Sequence, residues 1–91
     1  MKVKVYQLKL ESGYTFMNYE YAKDIMEMED YELVAEFNLN QQTDSPLDLI
    51  YMMGNDGTLA MNFEMRSISV SDIIELDGIK YFVDSFGFKQ I

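Results

Sequence analysis

The segment RSISVSDIIELDGIKYFVDSFGFKQI, Arg66 to Ile91, decides how the rest of the chain is read. Ile73-Ile74-Glu75-Leu76 and Ile79-Lys80-Tyr81-Phe82-Val83 are β-rich runs separated by Asp77-Gly78. A two-residue Asp-Gly loop signals a type I′ hairpin turn, because both central residues must take positive φ. That loop length predicts the register: Leu76 opposite Ile79, Glu75 opposite Lys80, Ile74 opposite Tyr81 and Ile73 opposite Phe82. One face then carries Ile74, Leu76, Ile79, Tyr81 and Val83. The other sets Ile73 and Phe82 beside Glu75 and Lys80, a favourable cross-strand charge pair. Gly87, between Phe86 and Phe88, reads as a turn with positive φ, followed by a short last strand near Phe88–Ile91.

Upstream, Lys2–Leu10 alternates as a strand with its lysines at an exposed face or guarded edge. Val3 and Val5 share one parity and Leu8 and Leu10 the other, so a bulge or two-sided burial is expected near Tyr6-Gln7. Glu11-Ser12-Gly13 is a turn. Asn18 is placed to cap a helix spanning residues 19–29, with Ala22, Ile25, Met26 and Glu29 at helical spacing. The aromatic residues Tyr14, Phe16, Tyr19 and Tyr21 read as core and helix staple rather than a ligand cage. Tyr31–Phe37 alternates as a half-buried strand, with Tyr31, Leu33, Ala35 and Phe37 on one face. Ser45-Pro46-Leu47-Asp48 predicts a capped helix start and Gly54 its stop, giving a helix over 46–53. Asn55-Asp56-Gly57 is a turn, and Thr58–Met65 is either a short strand or an irregular loop.

The C-terminal residues also carry a resemblance. Ser67, Ser69, Ser71 and Asp72, the Asp77-Gly78 turn, and Asp84, Ser85, Phe86, Gly87 and Phe88 follow a serine-rich run ending in SD, then a hairpin, then DSxGF. In this the chain resembles the YodL-like domain, found in Gram-positive bacteria, their phages and integrative elements. The likeness is specific from Arg66 onward and thins upstream to Tyr31–Val34 and an apolar helix near Leu47–Met52. It implies an α+β domain without established catalytic residues, often carried by mobile elements.

Composition bounds the function. A chain of 91 residues, 48% of them hydrophobic, is expected to form one domain over residues 1–91 with a single core. Cysteine and histidine are both absent, which removes disulfides, thiolate metal sites, a cysteine nucleophile and the usual neutral-pH general base. No apolar run approaches the ~18 residues of a membrane span. The opening MKVKVYQLKL alternates rather than forming a signal-peptide core, so a cytoplasmic location is expected.

The net charge of −9 is uneven. Ten acids between Glu11 and Asp48 face Lys23 alone, whereas the first ten residues are basic. An acidic field disfavours direct nucleic-acid binding and favours a basic partner surface; a solvated face that keeps a small protein soluble is the competing reading. The candidate contact residues are Glu20, Asp24, Glu27, Glu29, Asp30 and Glu32.

The register brings Asp72 and Asp84 to the open end of the hairpin, where two acids could share a proton or hold a cation. Ser69, Ser71, Asp72 and Ser85 are equally what turns require, since their side chains satisfy backbone N–H groups. Asn55-Asp56-Gly57 lacks the spaced ligands of a calcium loop. No phosphate-loop, dinucleotide or zinc motif occurs, and no cofactor or metal is expected.

The expectation is therefore an α+β domain: a small antiparallel sheet with a C-terminal β-hairpin and two short helices on one face. It would act without catalysis, binding a host protein with a basic surface. A regulatory or scaffold domain that forms a homodimer or adds a strand at an exposed edge is the alternative.

Overall fold

The computed structural model describes residues 1–91. Its frame is a five-stranded, wholly antiparallel sheet of β1 (Lys2–Leu8), β2 (Tyr31–Asn38), β3 (Ile73–Leu76), β4 (Ile79–Val83) and β5 (Phe88–Gln90). In space the order is β2-β1-β3-β4-β5. Two helices, α1 (Tyr19–Ala22) and α2 (Pro46–Met53), complete the α+β architecture.

The hairpin has the register its turn dictates, from Ile73 opposite Phe82 to Leu76 opposite Ile79. Asp77 and Gly78 take φ of 47° and 89°, the two positive values a type I′ turn demands. The turn is also tied to β1, because Asp77 Oδ1 accepts from the Lys2 N–H at 2.7 Å and the Asp77 N–H donates to the Lys2 carbonyl at 2.8 Å. Glu75 lies 3.1 Å from Lys80 Nζ and 3.9 Å from Lys4 Nζ. A buried carboxylate thus meets two ammonium groups, and charge pairing offsets much of its desolvation.

The sheet is buried on both faces, in two separate clusters. Over one face, Val3, Val5, Ile74 and Leu76 pack with Ile50 of α2 and with Leu59 and Ile68 of the following connection. Over the other, Leu8, Tyr31, Ile73 and Phe82 pack with Ala22 of α1 and with Tyr14. The helices therefore lie on opposite faces, which corrects the expectation that they share one. The reason is the change of parity in β1: Val3 and Val5 point to the α2 side, and Leu8 to the α1 side.

Of the two readings for β1, burial on both faces is the one found, and the bulge lies instead in its partner β2. Val5 pairs with Ala35 and Tyr6 with Leu33, so Val34 is unmatched and β2 bulges. Past the bulge the strand changes face: Tyr31 joins the α1-side cluster, while Ala35 and Phe37 join the α2-side one. The strict alternation of Tyr31, Leu33, Ala35 and Phe37 is not the burial pattern, and Leu33 is left 49% exposed.

The first helix is one turn rather than the eleven residues expected over 19–29. Asn18 caps it, its Oδ1 accepting from the Tyr21 N–H at 3.0 Å, but helical structure stops at Ala22. Glu20, Asp24 and Glu27 would stack at i, i+4 and i, i+7 on one helix, and like charges at such spacing destabilise it. So short an element depends on tertiary packing, here Ala22 in the core and Tyr19 edge-to-face on Phe82 at 5.5 Å. At α2, Pro46 occupies the first turn and Gly54 ends the helix, yet Ser45 makes no side-chain cap bond. Residues 58–65 form no strand; Leu59–Met61 is a 3₁₀ turn whose buried Leu59 reaches the α2-side core.

Candidate functional site

The C-terminal signature sorts into buried polar groups that bind the fold together and one apolar side chain that does not. Asp72 is 3% exposed. Its carboxylate accepts from the Ser69 N–H at 2.9 Å, from Gln7 Nε2 at 3.2 Å and, more loosely, from the Leu8 N–H at 3.5 Å. Gln7, itself buried, also accepts from the Arg66 N–H and donates to the Arg66 carbonyl. Arg66 Nη2 donates to the Leu8 carbonyl at 2.6 Å. Asp72 and Gln7 thus clamp the approach to β3 onto the end of β1. Burial raises the Asp72 carboxyl above its ordinary range, opposed by the Ser69, Gln7 and Leu8 hydrogen bonds and by the Arg66 charge.

Ser71 and Asp84 hold the other flank. Ser71 is fully buried with φ of 86°, and its Oγ accepts from the Phe16 N–H at 2.9 Å. Its carbonyl accepts from the Tyr31 hydroxyl at 2.7 Å. Asp84 Oδ1 accepts from the Tyr19 N–H at 3.0 Å, supplementing the Asn18 cap at the start of α1, and from the Ser85 N–H at 2.8 Å. The two aspartates share no partner: Asp72 serves the β1 end and Asp84 the α1 start. No group of three or more acidic side chains is arranged to hold a metal ion.

The Ser69 hydroxyl donates to the Ser67 carbonyl, which also accepts from Gln7 Nε2 at 3.3 Å. Gly87 takes φ of 78°, allowing its carbonyl to accept from the Asp84 N–H at 3.0 Å. Phe88 packs against the α2-side core. Phe86 differs, standing 95% exposed on the turn between β4 and β5. Phe16, pinned by Ser71, is 60% exposed, and its φ of 70° is strained for a bulky residue.

The acidic candidates form the next stretch along the surface. Glu20, Asp24, Glu27, Glu29 and Glu32 are exposed, and Asp30 is half-buried. Glu20 is neutralised locally by Lys23 at 3.0 Å. Asp30 accepts from the Tyr14 hydroxyl at 2.8 Å, and that hydroxyl in turn accepts from the Glu27 N–H. Asp30 therefore holds the loop, leaving Asp24, Glu27, Glu29 and Glu32 facing solvent. A side-chain hydrogen bond with Glu29, and then the charge of Glu29, raise the Glu27 carboxyl. The sequence pointed to these acids by charge alone; Tyr14 as their anchor carries no sequence signal beyond lying in an aromatic run.

Burial and the Asp30 hydrogen bond push the Tyr14 hydroxyl up to about 12, and burial, with nearby negative charge, pushes Tyr31 up further. Unfolded tyrosine ionises near ~10, so between these values only the unfolded state loses its proton. Stability is then fully present below about pH 10 and falls as pH rises beyond it. Absorbance at 295 nm with parallel circular dichroism should show Tyr14 and Tyr31 ionising only as the fold is lost. Ionisation of all seven tyrosines near ~10 with native dichroism would contradict this burial.

The geometry defines a small antiparallel α+β domain whose hairpin approach and exit, Ser67–Asp72 and Asp84–Phe88, clip two loops to one end of the sheet. The profile of the YodL-like domain matches residues 2–91, and the chain belongs to that family. No curated protein and no solved structure matches it. No helix is long and apolar enough to cross a membrane.

Proposed function

We propose that the chain is a non-catalytic protein-binding module that covers a basic surface on a host protein and so inhibits or modulates it. A surface shaped to handle nucleic acid, as on a nuclease or other defence protein, has the required charge. The observation carrying this reading is that Asp24, Glu27, Glu29 and Glu32 are exposed, while the buried acids Asp72 and Glu75 are occupied within the fold. Exposed like charges raise association rates toward an oppositely charged patch and reject like-charged partners.

Phe16 and Phe86 give the same end of the molecule apolar anchors. Phe16 is tied to Ser71, and Asp84, two residues before Phe86, is tied to Tyr19 beside Glu20. A charged field with exposed aromatic residues at its border is the composition expected of a contact surface. The association of the family with mobile elements fits a protein directed at a host target.

Capture from a host lysate with the wild type and with Asp24, Glu27, Glu29 and Glu32 all changed to Lys tests the reading. Those four side chains make no ion pair, and their one hydrogen bond joins Glu27 to Glu29 within the set, so the variant should stay folded. The expected result is a protein retained by the wild type and lost from the variant. Equal retention of the same protein by both would remove the acidic surface from the contact.

A further inference from the structure

We infer that the free edge of β2 takes up an extended, lysine- or arginine-bearing segment of the partner as a sixth strand. This rests on the proposed function and gives its basic partner a binding mode. β2 and β5 are the two outer strands. β5 is three residues long and includes Lys89, and short strands and lysine both discourage edge pairing. β2 is eight residues long, and its sequence YELVAEFN holds neither lysine nor proline. The bulge at Val34 interrupts that edge, but the outward backbone groups on either side of it remain a template for another strand.

The charges on β2 select the occupant. Glu32 is its unpaired carboxylate, Glu36 being paired with Lys2 at 3.1 Å, and the chain enters it through Glu27, Glu29 and Asp30. A second copy would bring its own net charge of −9 to the seam, whereas a basic segment brings the opposite sign.

A cleft beside the edge accepts a side chain of that same chemistry. It has a volume of about 410 Å³, and Glu32 and Val34 form its β2 wall. Leu10 and Met65 provide further apolar surface, and Glu11 and Glu64 add carboxylates. Its three carboxylates outnumber its two cations, and those cations are turned onto backbone carbonyls: Arg66 Nη2 donates to Leu8 and Lys9 Nζ to Glu29 at 3.0 Å. The aliphatic stem of an incoming lysine or arginine would lie against Leu10, Val34 and Met65, its charged end among the carboxylates. The bulge at Val34 turns both Val34 and Ala35 toward the α2 side, keeping Val34 at the cleft.

The test uses the full chain, labelled with ¹⁵N, and two peptides of equal charge. One alternates lysine with valine; the other alternates lysine with proline, which cannot donate in a ladder. The valine peptide is expected to shift the β2 amides, to slow exchange at the outward ones, and to bind at least about tenfold more tightly than the proline peptide, the equivalent of one to two lost hydrogen bonds. Glu32→Lys should weaken the valine peptide while leaving the fold's spectrum in place. If both peptides bind equally, with shifts confined to residues 20–30, the edge inference is overturned and the charge reading stands. If neither peptide binds, both are overturned.

Discussion

Asp72→Ala is expected to cost about 3 kcal/mol or more, because each buried polar group left unpaired costs about 1–3 kcal/mol. The substitution strands the Ser69 N–H and the Leu8 N–H and removes one of the acceptors of Gln7 Nε2, which keeps the Arg66 and Ser67 carbonyls, all at the junction of β1 and β3. A domain of this length has roughly 5–14 kcal/mol of total stability, so a loss of that size should be visible as a large drop in the urea midpoint. Asp72→Asn keeps one carbonyl acceptor and should lose less. The pH dependence gives a second readout. Because burial raises the Asp72 carboxyl, its favourable contribution is complete below the ordinary carboxylate value of ~3.9 and is lost as pH rises through the raised value. The Asn variant cannot titrate, so it should lack this share of the decline. A change under about 0.5 kcal/mol for Asp72→Ala, the size of a surface substitution, would mean that the clamp does not hold the two segments together.

Gly54→Ala should be the second large effect, and its cause is space rather than backbone freedom. Gly54 ends α2 with an ordinary φ of −75°, so alanine meets no backbone strain. A Cβ there, however, would sit well inside van der Waals contact with Cγ1 and Cδ1 of Ile68. Ile68 is 1% exposed, held in the α2-side core with its carbonyl accepting from Asn55 Nδ2 at 3.1 Å. Overpacking of this kind costs about 1–3 kcal/mol. Trimming the obstacle in the double variant Gly54→Ala, Ile68→Ala should make the two changes non-additive, with the pair costing less than the sum of the singles. Strict additivity in denaturant unfolding would show that the two residues do not compete for the same volume.

The parts of this fold that are legible in the sequence are those fixed by short-range chemistry. Asp77-Gly78 fixes the turn, the turn fixes the register, and Glu75 opposite Lys80 agrees with it. Asn18, Pro46, Gly54 and Gly87 mark boundaries for equally local reasons. What stayed hidden depends on contacts between distant segments. Nothing local distinguishes β2 from a regular strand, because Val34 is as apolar as the neighbours it displaces. Ala22, Ile25 and Met26 have helical spacing, but the surrounding acids and the pull of Tyr14 on Asp30 and Glu27 end α1 after one turn. The opposite placement of the helices follows from the parity change in β1, which was visible, and from which helix docks where, which was not.

The candidate site divides in the same way. The nearness of Asp72 and Asp84 follows from the hairpin register, but their separate duties rest on Gln7 and Ser69 for one and Tyr19 for the other. Ser69 lies in the same signature run as Asp72, but Gln7 and Tyr19 are each 65 residues from the aspartate they bind and carry no motif that links them to it. The exposure of Phe86, by contrast, follows from its place at a tight turn before Gly87, where no neighbouring element passes over it.

The proposed recognition through the negative field of residues 24–32 has a direct physical consequence: a complex so formed must weaken as salt screens that field. At 0.1 M ionic strength the screening length is about 10 Å, and at 1 M about 3 Å. Titration of the captured partner across that range is predicted to show a Kd rising at least about tenfold, carried largely by a slower association rate. A Kd and association rate that stay level from low to high salt would contradict recognition by charge.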